Sequence, residues 1–205
     1  MKSNRVLFKF FTIFFLVFAL FFFLWPAVKK IYPKTYCYCL NAVFKVVTTD
    51  GIVTIFQVSD SDNDDIRMVM YNQKKVKPDG NVNAIEVYHS IRQLGYLPSI
   101  FLLSLVFSSA LSFRSSLWNV FYAMILVHFY ILLKVTLILL YNLIQNESLV
   151  IVTFNPFWKS LWIFFYDLFI SKVYPDFFIC ILIWISLLLR KNKYLKGYLK
   201  VIHHE

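Results

Sequence analysis

Four long apolar stretches alternate with polar segments along this chain. They cover residues 6–28, 94–113, 117–143 and 174–189. A helix that crosses a bilayer needs about 20 predominantly apolar residues, and each stretch is close to that length. The first stretch follows basic residues, as in a signal peptide, but it exceeds the apolar core of about 7–15 residues that a signal peptide has. The pattern therefore predicts four transmembrane helices, the first of which is an uncleaved anchor.

The connections between these stretches predict how the helices are arranged. The second and third stretches are joined by the short link 112–116, and such a short link makes two helices antiparallel neighbours. Before the last stretch, residues 156–171 are largely apolar but carry Lys159 and Asp167, and Pro175 follows them. A proline at that point ends or kinks a helix. We therefore expect an interfacial helix that leads into the final crossing.

The segment between the first two stretches has a strand-like pattern. Asp50-Gly51 lies between two runs rich in β-branched and aromatic residues, which is a strong short-range indication of a β-hairpin. Two further runs of the same character follow. The four runs are 43–49, 52–58, 66–71 and 84–89. Because an isolated hairpin is only marginally stable, we expect an antiparallel sheet of three or four strands.

These elements predict a mainly α membrane protein. It has four transmembrane helices and a small antiparallel β-rich extracytoplasmic insertion after the first helix. The expected divisions are an anchor at 1–28, the β-rich segment at 29–93, a transmembrane helical hairpin at 94–143, a loop with the interfacial and final helices at 144–189, and a basic cytoplasmic tail at 190–205.

Composition and charge support this prediction and add an orientation. Hydrophobic residues make up 60% and charged residues 16% of the 205-residue chain, against about 45–50% and 25% in soluble domains. The net charge is +10, and basic residues outnumber acidic ones at the amino end, in the link 112–116 and in the tail, whereas residues 29–92 are nearly balanced, with nine basic and seven acidic residues. With four crossings these three regions share one side, which the positive-inside rule makes cytoplasmic. We expect a multi-pass protein of the inner (cytoplasmic) membrane, N-in/C-in, whose surroundings are the lipid bilayer and not nucleic acid.

Candidate ligands in the β-rich segment are few. In a strand, Cys37 and Cys39 would face the same way, but metal sites need more ligands at other spacings. The pair is therefore either structural or a candidate disulfide to a partner or between copies. The acidic run 60–65 lacks the Gly and Glu that a calcium loop needs at its sixth and twelfth positions, which favours a solvated turn. We expect no metal site and no cofactor.

Ionisable side chains inside a membrane are costly and therefore candidates for function. Lys134 lies about half way along the third stretch. At 100° per residue, Tyr130 and Tyr141 fall within about 40° of it, and Asn119 lies close by. The expected partners of Lys134 are Asp167, Asp176 or a carboxylate of another protein. Snorkelling of Lys134 and a substrate-binding or catalytic role are the alternatives.

No known catalytic motif occurs in the sequence, so no catalytic residue is expected and the protein is not expected to be an enzyme. Three competing functions nevertheless stay open at this point. They are a non-enzymatic accessory protein, a subunit of a transporter or channel, and a small membrane-embedded enzyme that uses Lys134, His128 or the aspartates.

The order of the segments resembles that of a known family. The lead-in Arg92-Gln-Leu-Gly-Tyr-Leu-Pro98, the Leu132-Leu133-Lys134 in the third helix and the Tyr174-Pro175 before the last are similar to features of the small membrane proteins associated with exosortases, nearest to the exosortase H-associated type. The resemblance implies a non-enzymatic accessory role in a bacterial protein-sorting system. The implied partner is an exosortase-like multi-pass transpeptidase, which processes exported proteins that carry carboxy-terminal sorting signals.

Overall fold

The computed structural model describes residues 2–47, 51–59, 65–76, 82–109, 113–146, 155–170 and 174–190. Over these residues the chain forms six α-helices, three β-strands and one π-helical turn. In chain order they are α1 (Lys2–Val28), α2 (Tyr32–Val47), β1 (Ile52–Val58), β2 (Ile66–Val76), β3 (Val82–His89), the π-helical turn Arg92–Tyr96, α3 (Leu97–Ser108), α4 (Phe113–Gln145), α5 (Pro156–Phe169) and α6 (Tyr174–Arg190).

The chain divides into two compact units. The first consists of Met1–Phe23, Leu97–Leu132 and Val173–Glu205, and the second of Leu24–Tyr96 and Leu133–Lys172. The first unit contains most of α1, all of α3 and α6, and the first part of α4. The second contains α2, the three strands, the π-helical turn, the rest of α4 and α5.

Two helices are long and apolar enough to cross a membrane. They are Arg5–Val28 with 24 residues and Leu117–Gln145 with 29, which confirms the membrane prediction for the first and third apolar stretches. Helices α5 and α6 make a third candidate if they count together as one broken span. Helix α3 has 12 residues, or about 18 Å at 1.5 Å per residue, against an apolar bilayer thickness of about 30 Å.

Aromatic side chains hold the first unit together. Phe10, Phe14 and Phe18 recur every four residues and so share one side of α1. Phe14 packs edge-on against Phe101 of α3 at 5.5 Å between ring centroids, and Phe10 lies 5.8 Å from Trp184 of α6. Other aromatic side chains of α1 are exposed, as expected for a surface that faces lipid. They include Phe8, Phe15 and Phe23.

The second unit is built on an antiparallel sheet with the order β1-β2-β3. The antiparallel three-stranded sheet is therefore confirmed. Alternate residues of β2 are buried, namely Ile66, Met68 and Met70, so one face of the sheet is covered. Helix α2 packs on this sheet, and the Phe44 ring lies 5.5 Å from that of Phe56 in β1.

The predicted hairpin around Asp50-Gly51 is wrong. Its first run, 43–49, is helical as far as Val47, and the last two of its residues lie outside the described part of the chain. The physical reason is the helical spacing of Tyr36, Leu40 and Phe44, which are all buried on one side of α2. Burial of this stripe against the sheet outweighs the strand preference of the local sequence.

The helix expected at 156–171 is found as Pro156–Phe169. The Asn155 side chain accepts a hydrogen bond from the backbone N–H of Phe157 at 3.0 Å, and Pro156 occupies the first helical position, where its missing N–H costs nothing. Local sequence therefore determines where α5 begins.

Candidate functional site

A buried tyrosine–aspartate pair lies in the first unit. The Tyr130 hydroxyl of α4 donates a hydrogen bond to Oδ1 of Asp176 at 2.7 Å, and both residues are buried, with 6% and 4% of their surface exposed. Asp176 lies in the first turn of α6, where the helix dipole favours a negative charge. The structure thus brings together two of the six residues that the sequence identifies as a candidate polar contact.

The same side of α6 carries two more hydrogen-bonding residues at helical spacing. One turn beyond Asp176, the Cys180 thiol donates to the backbone carbonyl of Pro98 at 3.3 Å. A further turn on, Trp184 Nε1 donates to the Ser109 hydroxyl at 3.1 Å. A polar residue every four positions thus gives α6 three hydrogen bonds, to α4, to α3 and to the residue that follows α3. The sequence analysis missed Cys180 and Trp184, which their i, i+4, i+8 spacing from Asp176 could have identified.

The other four candidates occupy different places. Lys134 lies in the second unit and is buried, with 4% of its surface exposed. This burial fits an intramolecular contact better than snorkelling, in which the ammonium group stays at the surface. The Tyr141 ring stacks on that of Tyr166 of α5, with 3.7 Å between the ring centroids. Asp167, which follows Tyr166 in the chain, is exposed. Asn119 is half-buried in α4.

The two cysteines of the β-rich segment do not face the same way. Both lie in α2, where two positions correspond to about 200° of rotation, so that Cys37 is buried and Cys39 is exposed. Both are free thiols in the structure, and a disulfide to another chain remains a prediction. Burial raises the pKa of the Cys37 thiol from 9.0 to about 11 and also raises the pKa of the neighbouring Tyr36.

An aromatic cluster that the sequence did not predict lies around the π-helical turn. The Trp25 ring lies 4.7 Å from Tyr96 and 6.2 Å from Tyr32, and the Arg92 guanidinium lies 5.9 Å from the centre of the Trp25 ring. The backbone N–H of Arg92 donates to Asp65 at 3.4 Å. Tryptophan and tyrosine favour membrane–water interfaces, and Trp25 lies close to the end of the candidate span Arg5–Val28.

The uncovered face of the sheet has a polar corner. Arg67 donates to Gln57 at 2.6 Å and lies 3.4 Å from Glu86, whose second carboxylate oxygen accepts from Tyr88 at 2.7 Å. The Arg67 and Glu86 side chains are 37% and 42% exposed. This corner combines a charged pair, an amide and a phenol within reach of solvent.

These groups can bind and hold a structure together, but they do not form a nucleophile–base pair. His128, a candidate in the enzyme alternative, is exposed, and its Nδ1 lies 2.7 Å from the carbonyl of Met124 in its own helix. Among the residues that the structure describes, no group of three or more His, Cys, Asp or Glu could hold a metal ion. Most of the acidic run 60–65 lies outside those residues. Comparison with protein-family models, curated proteins and solved structures finds no match to this chain.

Proposed function

We propose that this chain is a non-enzymatic accessory protein of the bacterial inner membrane, which works by binding other polypeptides. The observation that carries the proposal is the second unit, a helix-covered antiparallel sheet that comes directly after the first apolar helix. Its uncovered face carries accessible polar and apolar side chains. A sheet held next to a membrane in this way suits recognition of exported chains.

The proposed topology has four crossings with both ends in the cytoplasm. In this arrangement α1, α3, α4 and α6 each cross the membrane once, and the sheet lies on its outer side. The support comes from the distribution of basic residues and from the hydrogen bonds that α6 makes to α4 and α3. Because buried polar contacts are costly in lipid unless they are satisfied, these bonds favour a packed helical bundle.

The proposed partner is an exosortase-like transpeptidase, and this part rests on the family resemblance. Lys134 is buried within its own chain, so we look for the docking surface among the exposed apolar residues of α4. They include Trp118, Phe121, Ile125 and Phe129, which recur at helical spacing.

Co-expression with such a transpeptidase tests the proposal. We expect the two proteins to co-purify in mild detergent. Phe129→Lys should reduce the yield of the partner, while the matched control Phe8→Lys on the exposed side of α1 leaves it unchanged. Deletion of the gene should leave proteins with carboxy-terminal sorting signals unprocessed, and normal processing without the gene would contradict the proposal.

The Tyr130–Asp176 pair favours a second candidate function, in which the bundle moves ions or protons or performs acid–base chemistry. A buried carboxylate in a membrane is the usual mark of such a role. Asp176→Asn in liposomes distinguishes the two. Loss of flux or activity at an unchanged protein level would support the second candidate, whereas a change in stability alone supports the accessory role.

A further inference from the structure

The two edges of the sheet differ in how their backbone groups are satisfied. Antiparallel strands point the backbone groups of alternate residues towards the neighbouring strand and those of the residues between them away from it. Gln73 N–H donates to the carbonyl of Gly51, and Ser59 N–H donates to that of Asp65. The odd-numbered residues of β1 and β2 therefore bond to each other. The even-numbered residues of β2 bond to β3, and those of β1 point outwards.

A side chain closes the β1 edge. Asn41 of α2 donates from Nδ2 to the carbonyl of Phe56 and accepts from the N–H of the same residue, both at 2.8 Å. The amide group of Asn41 thus makes the two bonds that a neighbouring strand would make at that position. A further strand cannot add there without displacing it.

Among the residues that the structure describes, none covers the β3 edge. Its register with β2 pairs Ile85 with Met70 and Val87 with Met68, so the backbone groups of Ala84, Glu86 and Tyr88 point away from the sheet. All three residues are exposed. In the described part of the chain, no hydrogen bond from another element reaches these backbone groups. An accessible row of alternating donors and acceptors is a template for another strand.

We propose that β3 binds an extended segment of another polypeptide by addition of a strand to the sheet. The inference rests on the proposed function, since it supplies the surface at which an exported chain is recognised. Only an extended backbone offers donors and acceptors at the spacing that satisfies all three residues. The bound strand lies antiparallel to β3, in line with the rest of the sheet.

The side chains on the uncovered face define which segment fits. Across the sheet, Val53, Tyr71 and Ala84 form one row, which ends in a small side chain. A large apolar residue of the bound strand opposite Ala84 extends this row over the Tyr71 ring. In the next row, Glu86 lies opposite Val69. Its carboxylate reaches Arg67 of the following row only diagonally, at 3.4 Å, and remains accessible, so a basic residue of the bound strand is favoured opposite it.

A second copy of the chain fits this edge less well. The symmetric antiparallel pairing that uses all three outward residues sets Glu86 against Glu86 of the other copy. Like charges directly opposite each other destabilise a strand pair. The preferred occupant is therefore a different chain in which an apolar and a basic residue are separated by one position.

Peptide binding to the full-length protein in nanodiscs tests the proposal. The probe is a fluorescein-labelled peptide of sequence Thr-Val-Thr-Lys-Thr-Leu-Thr. It is compared with a form in which Glu replaces Lys and with a form N-methylated at Val, Lys and Leu, the alternate residues whose N–H groups face β3. Two protein variants form a matched pair. Glu86→Ala removes the carboxylate and keeps the backbone N–H, whereas Glu86→Pro removes both and leaves the bonds between β2 and β3 intact.

We expect Glu86→Pro and N-methylation each to weaken binding by more than about tenfold. Glu86→Ala should weaken binding by less than about fivefold, as for an exposed ion pair, and abolish the preference for Lys over Glu.

The N-methylated probe keeps the test independent of the folding of the proline variant. Equal binding to all three proteins, or no binding of any peptide, overturns the inference. So does self-association that is lost in Glu86→Pro. Co-purification with the transpeptidase is scored separately, so the proposed function stands or falls independently of this result.

Discussion

Single residues explain why the helices of the first unit hold together. The hydrogen bond from Tyr130 to Asp176 is buried, and removal of one partner leaves the other without it in an apolar environment. We expect Tyr130→Phe and Asp176→Ala each to lower the free energy of unfolding by about 1–3 kcal/mol. Reversible unfolding in mixed micelles measures this loss.

A double-mutant cycle separates the hydrogen bond from other effects of these substitutions. The coupling energy between the two positions should be about 0.6 kcal/mol, the average for hydrogen bonds between membrane helices, and at most about 1.7 kcal/mol. Tyr174→Phe is the control, because Tyr174 is 82% exposed and its substitution should change nothing. Additive effects of the two substitutions would show that the bond contributes no stability.

The cysteines of α2 make a second prediction at the same scale. Burial raises the pKa of Cys37 to about 11, so its thiol stays protonated and unreactive at neutral pH, whereas Cys39 is exposed. Iodoacetamide at pH 8 should therefore modify Cys39 and spare Cys37 until the protein unfolds. The folded state favours the protonated Cys37 thiol. The burial of this thiol therefore contributes fully to the free energy of unfolding below pH 9, and this contribution is lost as the pH rises towards 11. Equal labelling rates of Cys37→Ser and Cys39→Ser proteins would contradict this assignment.

At this scale the sequence identified the residues better than their partners. Tyr130 and Asp176 were recognisable because ionisable and polar groups are expensive in a membrane. Their pairing was not, because it depends on how α4 and α6 pack, and helical spacing within α4 placed Tyr130 only relative to Lys134. The aromatic cluster at the π-helical turn was missed for the same reason, since Trp25 and Tyr96 lie 71 positions apart in the sequence.

Secondary-structure elements were predictable wherever local pattern and tertiary packing agree. The runs 52–58, 66–71 and 84–89 became β1, β2 and β3 because their β-branched and aromatic residues favour strands, and in β2 the alternation of side chains buries one side. The run 43–49 failed because its strand-like composition coincides with the end of an amphipathic helix. That helix is stabilised by contacts with β1 that no local window contains, so α2 could not be distinguished from a strand by composition alone.

Asn41 allows a direct test of how α2 and β1 depend on each other. Asn41→Leu removes both hydrogen bonds from the residue 41 side chain to Phe56. The part-buried backbone N–H and carbonyl of Phe56 then have no partner at this edge. We expect the second unit to lose about 1–3 kcal/mol of stability and the Phe56 amide to exchange with deuterium faster. Thr35→Ala is the matched control, because the Thr35 hydroxyl bonds only to the carbonyl of Ile31. An unchanged exchange rate at Phe56 would show that the edge is closed by other means.

For the whole molecule, the open question is how many times the chain crosses the membrane. Apolar length was sufficient to predict α1 and α4 as spans. It was insufficient for the second and fourth stretches, because a π-helical turn shortens α3 and a break separates α5 from α6. Two, three and four crossings place the link 112–116 and the tail on different combinations of sides, so they can be distinguished by labelling from outside the cell.

The four-crossing arrangement predicts a specific labelling pattern with a membrane-impermeant maleimide. Intact cells should be labelled at Cys39 alone, since Cys37 and Cys180 are buried, and Cys39→Ser should abolish the signal. In that background, Ser115→Cys in the link and Glu205→Cys in the tail should react only after permeabilisation. Labelling of Ser115→Cys but not of Glu205→Cys in intact cells would indicate two crossings, because α4 would then start outside and the tail would lie inside. Labelling of both in intact cells would indicate three crossings, with α5 and α6 as one broken span. Labelling of Glu205→Cys but not of Ser115→Cys in intact cells would indicate that α5 and α6 together do not cross as proposed. The charge distribution favours the four-crossing outcome, because only four crossings, or two, keep the basic amino end and the basic tail together in the cytoplasm, and only four also place Arg114 there.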